Sequence, residues 1–203
     1  MKPAGAKRPQ TLLELTGGAS EWERPVPEET VLILVAVQEE YKSGRLRLSG
    51  VDEALSEIVQ LRARASELGI PVVHAFNDGG LGDLFEPAAS GMFCSEGTPR
   101  PGERVISKTK PNAFADTGLA EQLQRDGVKN IIVGGFMSHL CVSNTIRGGF
   151  EHGFRGAVVA SACASRPLPL PTGGSLPGYA VHDAAMASIA DLFATVLPNV
   201  CAI

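Results

Sequence analysis

The sequence predicts an α/β fold in which a parallel sheet is sandwiched between helices. Two observations carry this. The run VLILVAV (31–37) is uninterrupted, apolar and rich in β-branched residues, as in a strand covered on both faces, and similar runs then alternate with amphipathic segments along the chain. Such alternation builds right-handed βαβ units, whose ligands bind beyond the C-terminal ends of the strands.

After the first strand, SGVDEALSEIVQLRARASELG (49–69) sets Leu55, Ile58, Leu61, Ala65 and Leu68 on one helical face and stops at Gly69. IPVVHAF (70–76) is the next strand, followed by an irregular Gly-rich segment. DTGLAEQLQRDGV (116–128) predicts a helix, NIIVGGF (130–136) a strand, SHLCVSNTIRGGFEHG (138–153) a helix and GAVVASA (156–162) a further strand. A last helix is expected over 180–197, where Met186, Ile189, Phe193 and Val196 align. No repeat period, GxGxxG or P-loop is present, so no nucleotide-binding motif supports a nucleotide function.

With 203 residues and 44% hydrophobic content the chain supports one packed core. A single domain at 28–203 is expected behind an N-terminal arm, 1–27, and SRPLPLPTGGSLPG (165–178) is expected to be a loop. Net charge is −4 with no stripe of Lys or Arg, which argues against nucleic acid and for a small ligand. No apolar run approaches the roughly 20 residues of a membrane span, and MKPAGAKRPQ has no hydrophobic stretch behind it; no membrane partner and a cytoplasmic location are expected. Cys94, Cys141, Cys163 and Cys201 lack CxxC spacing, so neither a zinc site nor a disulfide framework is indicated.

Three segments offer chemistry at strand ends or in loops: VAVQEEY near 36–41, SKTKPNAFADTGL (107–119) and GGFMSHLCVSNT (134–145). Cys141 falls in the first turn of the helix expected after NIIVGGF, where unpaired N–H groups and the helix dipole favour an anion and so a nucleophilic thiolate. Ser138 is placed to cap that helix. On residue type alone, Cys141 could equally be a buried packing residue.

In company the motif says more. GFMSHLCVSNT, KTKPNAFADTGL upstream of it and a first strand ending in VQEEY resemble the cysteine hydrolases of the isochorismatase-like superfamily, over about residues 28–197. The resemblance implies a three-layer α/β/α sandwich around a mainly parallel sheet of about six strands, a Cys-Asp-Lys triad and homo-oligomers, a dimer or larger. Carried over residue by residue, Cys141 matches the nucleophile, Lys108 rather than Lys110 the lysine, and Phe136–Met137 a cis non-proline peptide bond. With that bond, the N–H groups of Met137 and Cys141 would form the oxyanion hole.

The family's aspartate belongs two residues before Gln38, and that residue is Ala36. Alanine can neither take the thiol proton nor hand it to a leaving amine. Glu40 shares the side of the strand with Ala36 but lies about 13 Å further on at strand rise. Either the chain is a family member without turnover or an aspartate has been replaced, and the maintained Cys141 and Lys108 favour replacement. The strand GAVVASACAS also carries Ser161 where many relatives have Asp, which bears on substrate contacts.

If the motifs map onto one pocket, Gln38, Tyr41, Asn112, Phe114, Phe136 and His139 line it. Core packing is the competing expectation for Phe114 and Phe136, ordinary loop hydrogen bonding for Gln38 and Asn112, and a satisfied core histidine for His74. HAFNDGGLGDLFEP lacks the DxHxxxH-like metal motif of nicotinamidases, so no metal and no cofactor are expected. The resemblance thus implies hydrolysis of a non-peptide C–N bond in a small amide, carbamoyl compound or lactam through a Cys141 thioester, slowed on the order of 10³ or more by Ala36. The alternatives are an isochorismatase-type vinyl ether hydrolase and a ligand-binding pseudoenzyme.

Overall fold

A computed structural model describes residues 8–18, 22 and 25–203. Its centre is a six-stranded sheet built from β1 (Thr30–Val35), β2 (Val72–Asn77), β3 (Arg104–Lys108), β4 (Asn130–Phe136), β5 (Arg155–Ala164) and β8 (Thr195–Leu197) in the order β3-β2-β1-β4-β5-β8. Every pairing is parallel. Because the chain runs outward from β1 in one direction and resumes at β4 in the other, the strand order reverses between β1 and β4. A crevice opens there beyond the C-terminal strand ends.

Every residue of β1 and β4 is buried, as continuous apolar runs in a doubly covered sheet should be. Helix α3 (Val51–Leu68) packs Leu61 against Gly134 on one face of the sheet. Helix α5 (Ser143–Glu151) packs on the other, where Gly149 lies against Ile131. Helix α3 ends at Gly69, whose φ of 72° is the left-handed cap that glycine adopts without a Cβ penalty. The chain also forms the helices α2 (Glu39–Lys42), α4 (Leu119–Arg125) and α6 (Gly178–Ala190). The expected three-layer sandwich is therefore present.

Three elements differ from the sequence reading. β3 lies in the segment taken as irregular, an edge strand whose burial alternates and whose one fully buried residue is a lysine. The last helix stops at Ala190, and Val196, expected on its face, belongs instead to β8, where the β-branched Thr195 and Val196 add an edge strand before Pro198. The 165–178 loop contains a two-stranded antiparallel hairpin, β6 (Leu168–Pro169) with β7 (Ser175–Leu176).

In the N-terminal arm, α1 (Leu12–Leu15) is held by a capping box in which Glu14 N donates to Thr11 Oγ1 at 3.1 Å and Thr11 N donates to Glu14 Oε2 at 2.9 Å. Leu12 N donates to the Asp191 carboxylate at 2.8 Å, so this part of the arm is tied to the end of α6.

Candidate active site

Four strand ends converge on the crevice. β1 delivers Ala36, which is fully buried, has a φ of 51° and donates its N–H to Ala75 O at 2.7 Å. β2 and β3 end on register partners, Asn77 and Lys108. β4 ends at Phe136, whose bond to Met137 is cis, and the chain then enters a π-turn, Ser138–Val142, that carries Cys141 before α5 begins. The Met137 carbonyl accepts from Leu140 N at 3.0 Å and Val142 N at 3.2 Å, two bonds that straddle Cys141. A π-turn thus stands where the sequence reading had the first turn of an α-helix.

The strands can close on one another here because Gly135, with a φ of 120°, has no side chain. A Cβ there would lie 2.1 Å from Val35 O.

Lys108 and Cys141 meet directly. Lys108 is 2% exposed and Cys141 3%, and Nζ lies 3.3 Å from Sγ. The other partners of Nζ are Asn77 Oδ1 and, at 3.3 Å, the Lys110 carbonyl. Burial pushes the Lys108 ammonium below its ordinary pKa, and a Cys141 thiolate pulls it back up. Burial, reinforced by the charge of a Cys141 thiolate, raises the phenol pKa of Tyr41, with Asn77 pulling the other way. The Tyr41 ring packs 5.3 Å from Phe85 and 5.9 Å from Phe136.

Tyr41, Asn77, Asp78, Phe85, Lys108 and Cys141 are among the residues around a cleft of about 360 Å³. Another cavity of the same volume lies at the opposite end of the sheet, between Pro27, Leu68, Pro71 and Leu123, and has no cysteine among its lining residues. Among the described residues no group of three or more His, Cys, Asp or Glu side chains could hold a metal ion.

Several residues expected around the pocket are used elsewhere. Gln38 is fully buried, and its amide is spent on backbone groups of Asn77 and Gly91. Asn112 accepts from Phe114 N at 2.9 Å and sits against Gly148, while Phe114 stacks on Phe154 with ring centroids 5.6 Å apart. Phe136 is fully buried behind Tyr41, and His139 pairs with Ser165 Oγ at 3.0 Å. These five are not part of the cleft wall that holds Cys141. Ser161 donates its N–H to Pro198 O at 3.2 Å, and its buried hydroxyl has no hydrogen-bond partner among the described residues. Glu40 is buried and accepts from Leu46 N at 3.0 Å, so its carboxylate holds a loop and does not stand in for one at position 36.

Asn77, which accepts from Lys108 Nζ in the cleft wall, is a neighbour that the sequence reading missed. The available signal was its place: the first polar residue after the buried strand IPVVHAF, at the C-terminal end where such sheets bind ligands.

The family model described as "Isochorismatase domain" matches residues 30–199. The chain is 34% identical over 171 residues to the uncharacterized isochorismatase family protein YddQ of Bacillus subtilis, covering 82% of this chain and 94% of that one. It is 31% identical over 133 residues to maleamate amidohydrolase of Pseudomonas putida, covering 58% and 62%. The crystal structure of an isochorismatase, PP1826, from Pseudomonas putida KT2440 superposes with a TM-score of 0.88 at 40% identity, covering 94% of this chain and 97% of that one.

Proposed function

Because the chain belongs to the isochorismatase family, whose members are hydrolases and include amidohydrolases, we propose that it hydrolyses the C–N bond of a small amide, carbamoyl compound or lactam at Cys141. The observation that carries this reading is the 3.3 Å contact between Cys141 Sγ and Lys108 Nζ in the wall of the cleft at the strand-order reversal. A cation at that distance stabilises a thiolate, and the surrounding protein strengthens the attraction by excluding water.

In the reaction, the thiolate attacks the carbonyl carbon, and the N–H groups of Met137 and Cys141 receive the developing oxyanion. Loss of the amine leaves a thioester that water hydrolyses. Lys108 and Asn77 keep Sγ in place, and Tyr41 and Phe85 wall the cleft on the apolar side. Nothing in these steps calls for a metal or cofactor. Ala36 removes the side chain that would carry protons, and slow turnover follows from that loss.

The same alanine favours a second reading, a protein that binds its ligand without turning it over. Ammonia or amine release over a panel of carboxamides, carbamoyl compounds and lactams, compared between the parent, Ala36→Asp and Cys141→Ser, separates the two. The hydrolase reading expects Ala36→Asp to turn over on the order of 10³ faster than the parent and Cys141→Ser to be silent. Activity that survives Cys141→Ser would sink it, and binding without release in every variant would favour the second.

A further inference from the structure

With Ala36 at the end of β1, Cys141 needs another group to take its proton. The nearby carboxylates each hold another donor: Glu40 accepts from Leu46 N at 3.0 Å, Asp78 from Ser107 Oγ at 3.2 Å and Asp83 from Gly80 N at 3.1 Å. The group that touches Sγ is Lys108 Nζ. We propose that Lys108 is the general base of this chain, so that Cys141 and Lys108 work as a two-residue catalytic pair. The proposal rests on the reading of Cys141 as a hydrolytic nucleophile.

Hydrogen-bond capacity supports the assignment. Among the described residues Nζ has three partners, Asn77 Oδ1, Lys110 O and Cys141 Sγ, and none is a carboxylate. A neutral amine has two N–H bonds and one lone pair; its hydrogens satisfy the two oxygens, and the lone pair is left facing the thiol. After transfer, the ammonium donates to all three. One proton therefore moves across a single 3.3 Å contact with every heavy atom keeping its partner. Burial of Lys108 without a carboxylate favours the neutral form that this role needs. The other charged or titratable groups around the cleft are Tyr41 of α2, Asp78 and Asp83 after β2, and Lys110 after β3. Lys110 is paired with Asp116 at 2.5 Å.

The steps balance without a further reagent. Lys108 accepts the Sγ proton, the thiolate forms the C–S bond, and the carbonyl π pair moves to oxygen. When the C–N bond breaks, the ammonium returns its proton to the leaving nitrogen. Neutral Lys108 then takes a proton from water as the hydroxyl adds to the thioester carbonyl, and the C–S bond breaks to release carboxylic acid and thiolate. The proton held on Lys108 goes back to sulfur.

The test uses p-nitrophenyl acetate as a probe acyl donor, with acetyl-Cys141 followed by mass spectrometry and its loss followed in time. Loss of the acetyl group in the parent should rise with pH to a plateau set by Lys108 ionisation. Lys108→Arg, a permanent cation that cannot accept a proton, should let the acetyl thioester accumulate and slow its loss about a hundredfold. Ala36→Asp/Lys108→Arg should recover loss of the acetyl group, because the new carboxylate accepts the proton. A Lys108→Arg variant that clears its thioester at the parent's rate would overturn the proposal. So would a parent profile that climbs with hydroxide and never levels, a result that needs no variant to fold. Failure of the underlying hydrolase reading looks different: Cys141 would not acetylate in either the parent or Ala36→Asp.

Discussion

Gln38 grips Asn77 through both ends of one amide. Its Nε2 donates to Asn77 O at 2.9 Å and to Gly91 O at 2.7 Å, and its Oε1 accepts from Asn77 N at 2.8 Å. The clamp joins the end of β1 to the end of β2 and to the loop bearing Gly91, and so fixes the residue that positions Lys108. Gln38→Ala should orphan two carbonyls and one N–H in the interior, at a cost of about 3 kcal/mol in urea unfolding. Labelling of Cys141 by iodoacetamide should change with it, because Asn77 loses its support. Unchanged unfolding and unchanged labelling together would contradict the clamp.

Ala36 carries a φ of 51°, in the left-handed region where an alanine is strained and where Asp and Asn are enriched among side-chain-bearing residues. The backbone at this position is therefore suited to the aspartate that the family motif places there. Ala36→Gly should stabilise the fold by about 1 kcal/mol in urea unfolding while leaving turnover low. If Ala36→Gly destabilises, backbone strain at this position is outweighed by the packing of its buried methyl group.

Gly135 allows β4 to approach β1 directly beneath the site. Its prospective Cβ meets backbone, Val35 O at 2.1 Å and Val35 N at 2.8 Å, and backbone in the middle of a sheet cannot swing aside. Gly135→Ala should cost more than about 3 kcal/mol or abolish soluble expression, as clashes at a strained φ do. Gly69→Ala, with the same sign of φ but nothing within 4 Å of its Cβ, is the control and should cost about 1 kcal/mol. Equal losses for the two would show that φ alone, and not the close approach, explains Gly135.

Much of this architecture was legible because it obeys simple periods. The doubly buried strands β1 and β4 read as continuous apolar runs, and α3 reads as a stripe that ends on glycine. β3 and β8 were not legible: each is a short edge strand, of five and three residues, and the period-two signal of RVISK ends on a lysine that composition assigns to the surface. At the site, motif spacing picked out Cys141 and Lys108, which are in contact. It could not show that the Gln38 amide is consumed by backbone, because that depends on where residues 77 and 91 come to lie. Asn77 was missed for a similar reason: only the pairing of β2 with β3 sets it beside Lys108.

Three of the four histidines should make the fold acid-sensitive. His74 is fully buried on β2, where its Nε2 meets Glu103 Oε2 at 2.8 Å and its Nδ1 has no partner among the described residues. Burial lowers its pKa, and the Glu103 contact only partly offsets this. Burial lowers His139, with the Arg166 charge adding to the effect, and burial lowers His182 against the opposing pull of Asp183. A lowered folded pKa means that the unfolded chain binds more protons between the two values. The stability from these neutral rings is therefore complete above the unfolded value near 6.5 and is lost as pH falls from there toward the folded values. Glu103 acts in the same direction at lower pH. Burial opposes its charge, but bonds from Arg100 N and His74 and the Arg62 charge hold its pKa below the usual carboxylate value, so its contribution is lost on acidification below about 4.5. Urea unfolding across pH 8 to 4 should show a flat region above about pH 7 and then a fall, with a slope of up to about 1.4 kcal/mol per pH unit from His74 alone. His74→Phe should reduce the slope between pH 6.5 and 5. If stability stays level down to pH 5, or if His74→Phe leaves the slope unchanged, the buried ring is not the group being protonated.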